Sequence, residues 1–275
     1  MNRIEERMNQ LKERGEKAFI TYITAGLPDL EHTKAIIRAQ QEAGVDVIEL
    51  GVPFSDPVAD GPVIQDASYE AICGGTTLKK IFVTMEEMRK DGITVPIVFM
   101  MYYNTILHYG VEEFAKKCAE VGVDGLIVPD LPFEEQEELS NCLAGQETTI
   151  LIQLVSPVSG RRIPMILKNA RGFVYCVSSM GVTGQGADFH KEVISYLKKV
   201  KEVAEIPVMM GFGIRTAEDV QPMKDIIDGA IVGSHFITLM RENNYSTEAA
   251  KEYCSTFKKT LNEMQNRKVK RRLKI

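Results

Sequence analysis

The chain has 275 residues, 44% of them hydrophobic and 26% charged, which is enough for one full α/β barrel or two small domains with an ordinary core. A formal charge of -5 excludes recruitment of the whole molecule to nucleic acid or an anionic membrane. The five cysteines (Cys73, Cys118, Cys142, Cys176 and Cys254) form no CxxC pair, which excludes a disulfide framework or zinc ribbon and predicts a reducing, cytoplasmic setting.

The opening stretch, MNRIEERMNQLKERGE, is too polar for the apolar core of a signal peptide. No apolar run approaches the ~20 residues of a membrane helix. Residues 2–14 instead read as an amphipathic helix with Ile4, Met8 and Leu11 on one face. After Gly15 a rhythm sets in of short apolar run, loop and longer amphipathic stretch. The apolar runs are AFITYIT (18–24), VDVIEL (45–50), VPIVFMM (95–101), DGLIVP (124–129), TTILIQLV (148–155), GFVYCV (172–177), IPVMMG (206–211) and DGAIVG (228–233). Their length and Val/Ile content predict strands buried on both faces.

The stretches between them, among them 32–44 and 111–122, carry helical periodicity and stop at glycine. Residues 132–145 have sparser apolar positions and read as an exposed outer helix. Eight strands alternating with helices predict a parallel sheet closed into a (β/α)8 TIM barrel, with an extra N-terminal helix, and residues 1–275 forming one domain. The phrases AGVDVIELG (43–51), VGVDGLIVP (121–129) and IDGAIVG (227–233) mark equivalent helix-to-strand junctions.

Two loops exceed what a barrel requires: Pro53 to about Gly75 after the second strand, and Ser178 to about Phe189 after the sixth. Long loops at strand C-termini are where barrel enzymes hold their chemistry. Glu49 ends the run VDVIE, where apolar walls favour its neutral form and bring it toward proton exchange at neutral pH. The competing reading is a glutamate that pairs with a lysine or caps a loop amide. Asp56 and Asp60 lie among Pro53, Pro57 and Pro62, which stiffen the backbone, although Asp-Pro and Asp-Gly are also common turn-formers. Tyr22 and Tyr175 fall in the first and sixth strands, either as donors to a substrate oxygen or as core residues with a bonded tip.

Glycine turns follow the last three strands: GVTG (181–184), GFG (211–213) and GS (233–234). Backbone N–H groups at such turns, with the start of a short helix opening at Gly233-Ser234-His235, suit a phosphate. The four histidines (His32, His108, His190, His235) lack metal-ligand spacing, so no metal is expected. The basic tail, 267–274, reads as a solvated chain end.

IELGVPFSDPVADGPVIQ (48–65) resembles the signature of the tryptophan synthase α subunit family. The similarity continues through MYYN (101–104), GVDGLIVPDLPFEE (122–135), SSMGVTG (178–184) and GFGI (211–214), and so covers nearly the whole chain. The resemblance implies reversible retro-aldol cleavage of indole-3-glycerol phosphate to indole and glyceraldehyde 3-phosphate. It implies that Glu49 exchanges a proton with the indole carbon bearing the glycerol chain, and that Asp60 accepts the indole N–H. Tyr175 matches an active-site tyrosine, Phe212 a ring flanking the indole, and Tyr22 a position where phenylalanine is frequent. Gly184, Gly213, Gly233 and Ser234 match the phosphate site, and Thr183 lies on the hinge side of a closing loop. The resemblance further implies an α2β2 assembly with a β subunit that consumes indole, contacted through Pro53, Asp56 and the 178–189 loop. Pyridoxal phosphate would then belong to the β subunit, with no cofactor in this chain. A stand-alone lyase, or a non-catalytic barrel that activates a partner, are the alternatives.

Overall fold

The structure, a computed structural model, describes residues 2–146, 148–177, 187–211 and 213–272. Its strands are β1 (Ala18–Thr24), β2 (Val47–Gly51), β3 (Ile97–Met100), β4 (Gly125–Ile127), β5 (Ile150–Leu151), β6 (Gln153–Val155), β7 (Val174–Cys176), β8 (Val208–Met210) and β9 (Gly229–Val232). All pairings are parallel, in the order β5-β4-β3-β2-β1-β9-β8-β7-β6. The two edges of this sheet are β5 and β6, and only Ile152 separates them in sequence. The chain therefore closes the barrel itself. The fifth apolar run, expected as one strand, divides at Ile152 because its first half pairs with β4 and its second with β7.

The helices begin with α1 (Arg3–Arg14), α2 (Leu30–Glu42), α3 (Pro62–Cys73), α4 (Leu78–Lys90), α5 (Tyr103–Tyr109) and α6 (Val111–Val121). They continue with α7 (Glu137–Ala144), α8 (Ile163–Leu167), α9 (Ala187–Val203), α10 (Ser234–Glu242) and α11 (Thr247–Arg272). The long segment after β2 is a loop only as far as Gly61. Pro62 then opens α3 at its first turn, a position that needs no N–H, and Ala67, Ser68 and Ala71 are buried. Such small residues give a weak periodic signal, which is why the sequence reads as loop there. Residues 132–145 form a 3-10 turn, Phe133–Glu135, followed by α7, which buries Leu139 and Leu143.

Period-2 alternation decides what enters the barrel. Ala18, Ile20, Val47, Val98, Ile127, Ile152, Tyr175, Met209 and Ile231 share one interior cluster, while Phe19, Ile23, Ile48 and Leu50 join the layer beneath the helices. The interior cluster also contains Ile4, Met8 and Leu11, so α1 plugs the N-terminal end of the barrel. Asn2 caps that helix by accepting from the Ile4 N–H at 2.8 Å, and Gly15 ends it in the left-handed conformation at φ 65°.

The repeated junction phrases acquire a physical reason. In each, the aspartate before a strand accepts a backbone N–H from the strand alongside: Asp46 from Phe19 at 2.6 Å, Asp124 from Ile97 at 2.8 Å and Asp228 from Val208 at 2.7 Å. Asp46 is fully buried, and it also receives Arg7 at 2.9 Å and Lys258 at 2.7 Å, the latter from α11. Removing one partner of a buried ion pair costs about 3–5 kcal/mol, because the other charge stays buried. Asp46→Ala is therefore expected to lower the unfolding free energy by about that amount in urea titration, while the folded fraction keeps its site.

Candidate active site

The same alternation that points Val47 inward points Glu49 inward two residues later, at the C-terminal mouth. Its register neighbours are Tyr22 on β1 and Val98 on β3. Glu49 is 1% exposed, and among the described residues neither carboxylate oxygen has a hydrogen-bond partner. Burial alone raises its pKa to about 8, because nothing there solvates or balances the charged form. A side chain that caps a loop or pairs with a lysine would be tied down. This one is free to exchange a proton.

A cavity of about 650 Å³ opens above it, with Glu49, Tyr22, Tyr175, Met100, Ile64 and Ile231 in its inner wall. Gly213, Gly233 and Ser234 line its outer end. The phenols of Tyr22 and Tyr175 are buried, and their ionisation is suppressed first by desolvation and then by the nearby carboxyls of Asp60 and Glu49. Both remain neutral donors at any working pH. Each leans on a glycine: a Cβ on Gly51 would stand 2.0 Å from the Tyr22 hydroxyl, and one on Gly211 2.5 Å from the Tyr175 hydroxyl. Gly51→Ala is thus expected to displace Tyr22. It should destabilise the fold by about 1–3 kcal/mol and lower kcat/KM on the order of tenfold or more, measured by thermal unfolding and steady-state kinetics.

Asp60 is half-buried beside the cavity rather than in its wall. The Tyr102 hydroxyl donates to its Oδ2 at 2.9 Å, and the Ala59 N–H in turn donates to the Tyr102 oxygen at 2.9 Å. Burial pushes the Asp60 carboxyl above the usual range, and the Tyr102 bond works against that shift. The loop that carries it is fastened by Gln65, which donates to the Asp60 carbonyl at 3.0 Å, and by Phe54 stacked on Tyr102 with ring centroids 5.0 Å apart. Tyr102 is the main residue that sequence reasoning passed over. Its place immediately after the third apolar run, in MYYN, was the available signal.

Ser234 opens α10, whose first turn has no side-chain cap; the Phe236 N–H donates to the Gly233 carbonyl at 2.9 Å, which leaves the Ser234 and His235 N–H groups to meet an anion. Asp56 is exposed and Pro53 half-buried on the rim loop, away from the cavity wall. Phe212, Thr183 and Gly184, like most of the 178–189 loop, lie outside the described residues. Among the described residues no group of three or more His, Cys, Asp or Glu could hold a metal ion, and no helix is long and apolar enough to cross a membrane.

Residues 8–267 match the family model described as tryptophan synthase alpha chain. The chain belongs to the tryptophan synthase alpha chain family. Its tryptophan synthase alpha chain relative in Lachnospira eligens is 66% identical over 263 residues, covering 95% of this chain and all of that protein. The relative of the same name in Alkaliphilus metalliredigens is 43% identical, covering 97% and 99% of the two chains. Among solved structures, tryptophan synthase subunit alpha from Legionella pneumophila superposes with a TM-score of 0.87 at 32% identity, over 96% of this chain and 99% of that one. Eight barrel positions with an additional N-terminal helix are thus a feature this chain shares with structures of the tryptophan synthase alpha family.

Proposed function

We propose that residues 1–275 act as one barrel domain, catalysing the reversible cleavage of indole-3-glycerol phosphate to indole and glyceraldehyde 3-phosphate, with Glu49 as the acid–base group. The reading rests on one observation above all: an unpartnered carboxyl, poised near pH 8, faces a cavity with an apolar inner wall and a glycine-lined outer end. The apolar part suits the indole and the uncapped start of α10 suits the phosphate.

Neutral Glu49 donates its proton to the ring carbon that bears the glycerol chain. Asp60, ionised and held by Tyr102, balances the positive charge that spreads to the indole nitrogen. The Glu49 carboxylate then takes the proton of the adjacent side-chain hydroxyl. The carbon–carbon bond breaks, its electron pair returns to the ring, and the hydroxyl carbon leaves as an aldehyde. Glu49 ends protonated, as it began. Tyr22 and Tyr175 supply neutral hydroxyls along the wall, and Gly213, Gly233 and Ser234 hold the phosphate through main-chain N–H groups.

The partner is a tryptophan synthase β subunit, which carries pyridoxal phosphate itself and requires no cofactor here. Val58 is 83% exposed on the Pro53–Asp60 loop and Val158 81% exposed just after β6, an apolar presentation at the mouth end that suits a protein neighbour. Indole release from indole-3-glycerol phosphate, assayed with and without a β subunit, tests both parts. Release that rises strongly with the partner supports the whole reading. Fast release unaffected by the partner retains the lyase and removes the coupling, and no release in either case overturns the reading.

A further inference from the structure

Two basic side chains stand at the outer end of the cavity, and the main-chain phosphate site does not account for them. Arg215 and His235 both line it beside Gly213, Gly233 and Ser234. His235 is the second residue of α10, so its ring projects from the same turn as Ser234, and both residues line the cavity. Tyr253 of α11 fixes both positions at once. Its hydroxyl donates to the Arg215 carbonyl at 2.6 Å, and its ring packs on the His235 ring with centroids 5.7 Å apart. The Arg215 N–H is further held by Asp219 at 2.9 Å. Among the described residues neither side chain is in an ion pair.

We propose that His235, together with Arg215, is a protonation-dependent anchor for the phosphate monoester of the substrate, so that the site takes up a proton as it takes up the ligand. This rests on the reading of the cavity given above and extends it from main-chain to side-chain recognition. The charged and titratable groups around His235 are Arg215, Asp219 before and in the 3-10 turn Ala217–Met223, Glu242 at the end of α10, Tyr253 from α11, and Tyr22, Glu49 and Tyr175 across the cavity. Burial first and Arg215 second hold His235 below its ordinary value, against the weaker opposite pull of Glu242 and Asp219. At neutral pH the unliganded rim therefore carries one cation rather than two. A phosphate dianion beside the ring reverses the balance, because it favours imidazolium and supplies acceptors for its N–H groups.

The test is a proton NMR titration of the histidine ring signals of the full chain, with and without glycerol 3-phosphate. Only four histidines exist, and His235→Asn assigns the signal. Saturating glycerol 3-phosphate should raise the His235 midpoint by about one unit or more, equivalent to tenfold tighter binding by the protonated form. Calorimetry with inorganic sulfate, whose charge is constant over this range, should show affinity falling about tenfold from pH 5.5 to 8 in the unaltered protein. It should show a flat response in His235→Asn, and tight binding at both pH values in His235→Arg. For indole-3-glycerol phosphate, His235→Asn should raise KM by a larger factor than it lowers kcat. An unmoved His235 midpoint, or equal pH dependence in His235→Asn and the unaltered protein, overturns the anchor. Indole release with an unmoved midpoint removes the anchor and leaves the lyase standing. A moved midpoint without indole release does the reverse.

Discussion

Glu49→Gln is expected to slow indole release by about 10²–10⁴-fold, the range that general acid–base catalysis contributes, while leaving the barrel intact. Glutamine preserves the shape of the side chain and the burial of its surroundings but has no proton to exchange. The same change should make the protein more stable at neutral and alkaline pH. The sign follows from proton binding. The Glu49 carboxyl titrates at about 8 in the folded state against its ordinary 4.5, so the folded chain holds a proton that the unfolded chain has lost. Stability therefore falls as pH rises above about 4.5, and this cost is complete only past about 8. Glutamine removes the cost, which is of the order of a few kcal/mol for a fully buried carboxyl. Thermal unfolding of both proteins from pH 5 to 9 should show curves that meet at the acid end and diverge upward. In the unaltered protein kcat/KM should decline above pH 8 as the acid is lost. A Glu49→Gln variant that releases indole within a few fold of normal would remove Glu49 from the chemistry.

Asp60→Asn is expected to lower kcat by about 10²–10³-fold, the scale seen when a group aimed at developing charge is lost. An amide keeps the bond to Tyr102 but brings no negative charge to the protonated ring. In the proposed mechanism Asp60 acts ionised, so activity should fall on the acid side through a midpoint that burial places above the usual aspartate range. Tyr102→Phe removes the hydrogen bond that favours the charged form, so that midpoint should move to higher pH. Its effect on kcat near neutrality should be about tenfold, in keeping with one lost charge-assisted bond. A pH profile identical in Tyr102→Phe and the unaltered protein would show that Asp60 does not set the acid limb.

Much of the barrel is legible in the sequence because the strands are short Val/Ile runs and α1, α3, α5, α6 and α7 each end at a glycine. The split of the fifth run at Ile152 is not legible, since a change of hydrogen-bonding partner leaves no mark on hydrophobicity. Helix α3 escapes for the opposite reason: its inward residues are Ala67, Ser68 and Ala71, too small to announce a face. At the site, Glu49 stands out because a lone acid ends an apolar run. Tyr102 does not, since its role comes from reaching Asp60, 42 residues away in sequence. His235 shows in the sequence only as part of a helix start and Arg215 not at all, because only folding sets a 3-10 turn, that helix start and Tyr253 around one rim.

The plug formed by Ile4, Met8 and Leu11 makes the barrel a cul-de-sac. Among the described residues, whatever enters must leave by the same doorway, because the far end is stoppered by aliphatic side chains. Among the described residues the plugged end offers indole no rear exit, while Val58 and Val158 stand exposed on loops at the mouth end. A neighbour docked on that rim would receive the product without any dedicated channel through this chain, and truncating α1 would open a leak at the opposite end.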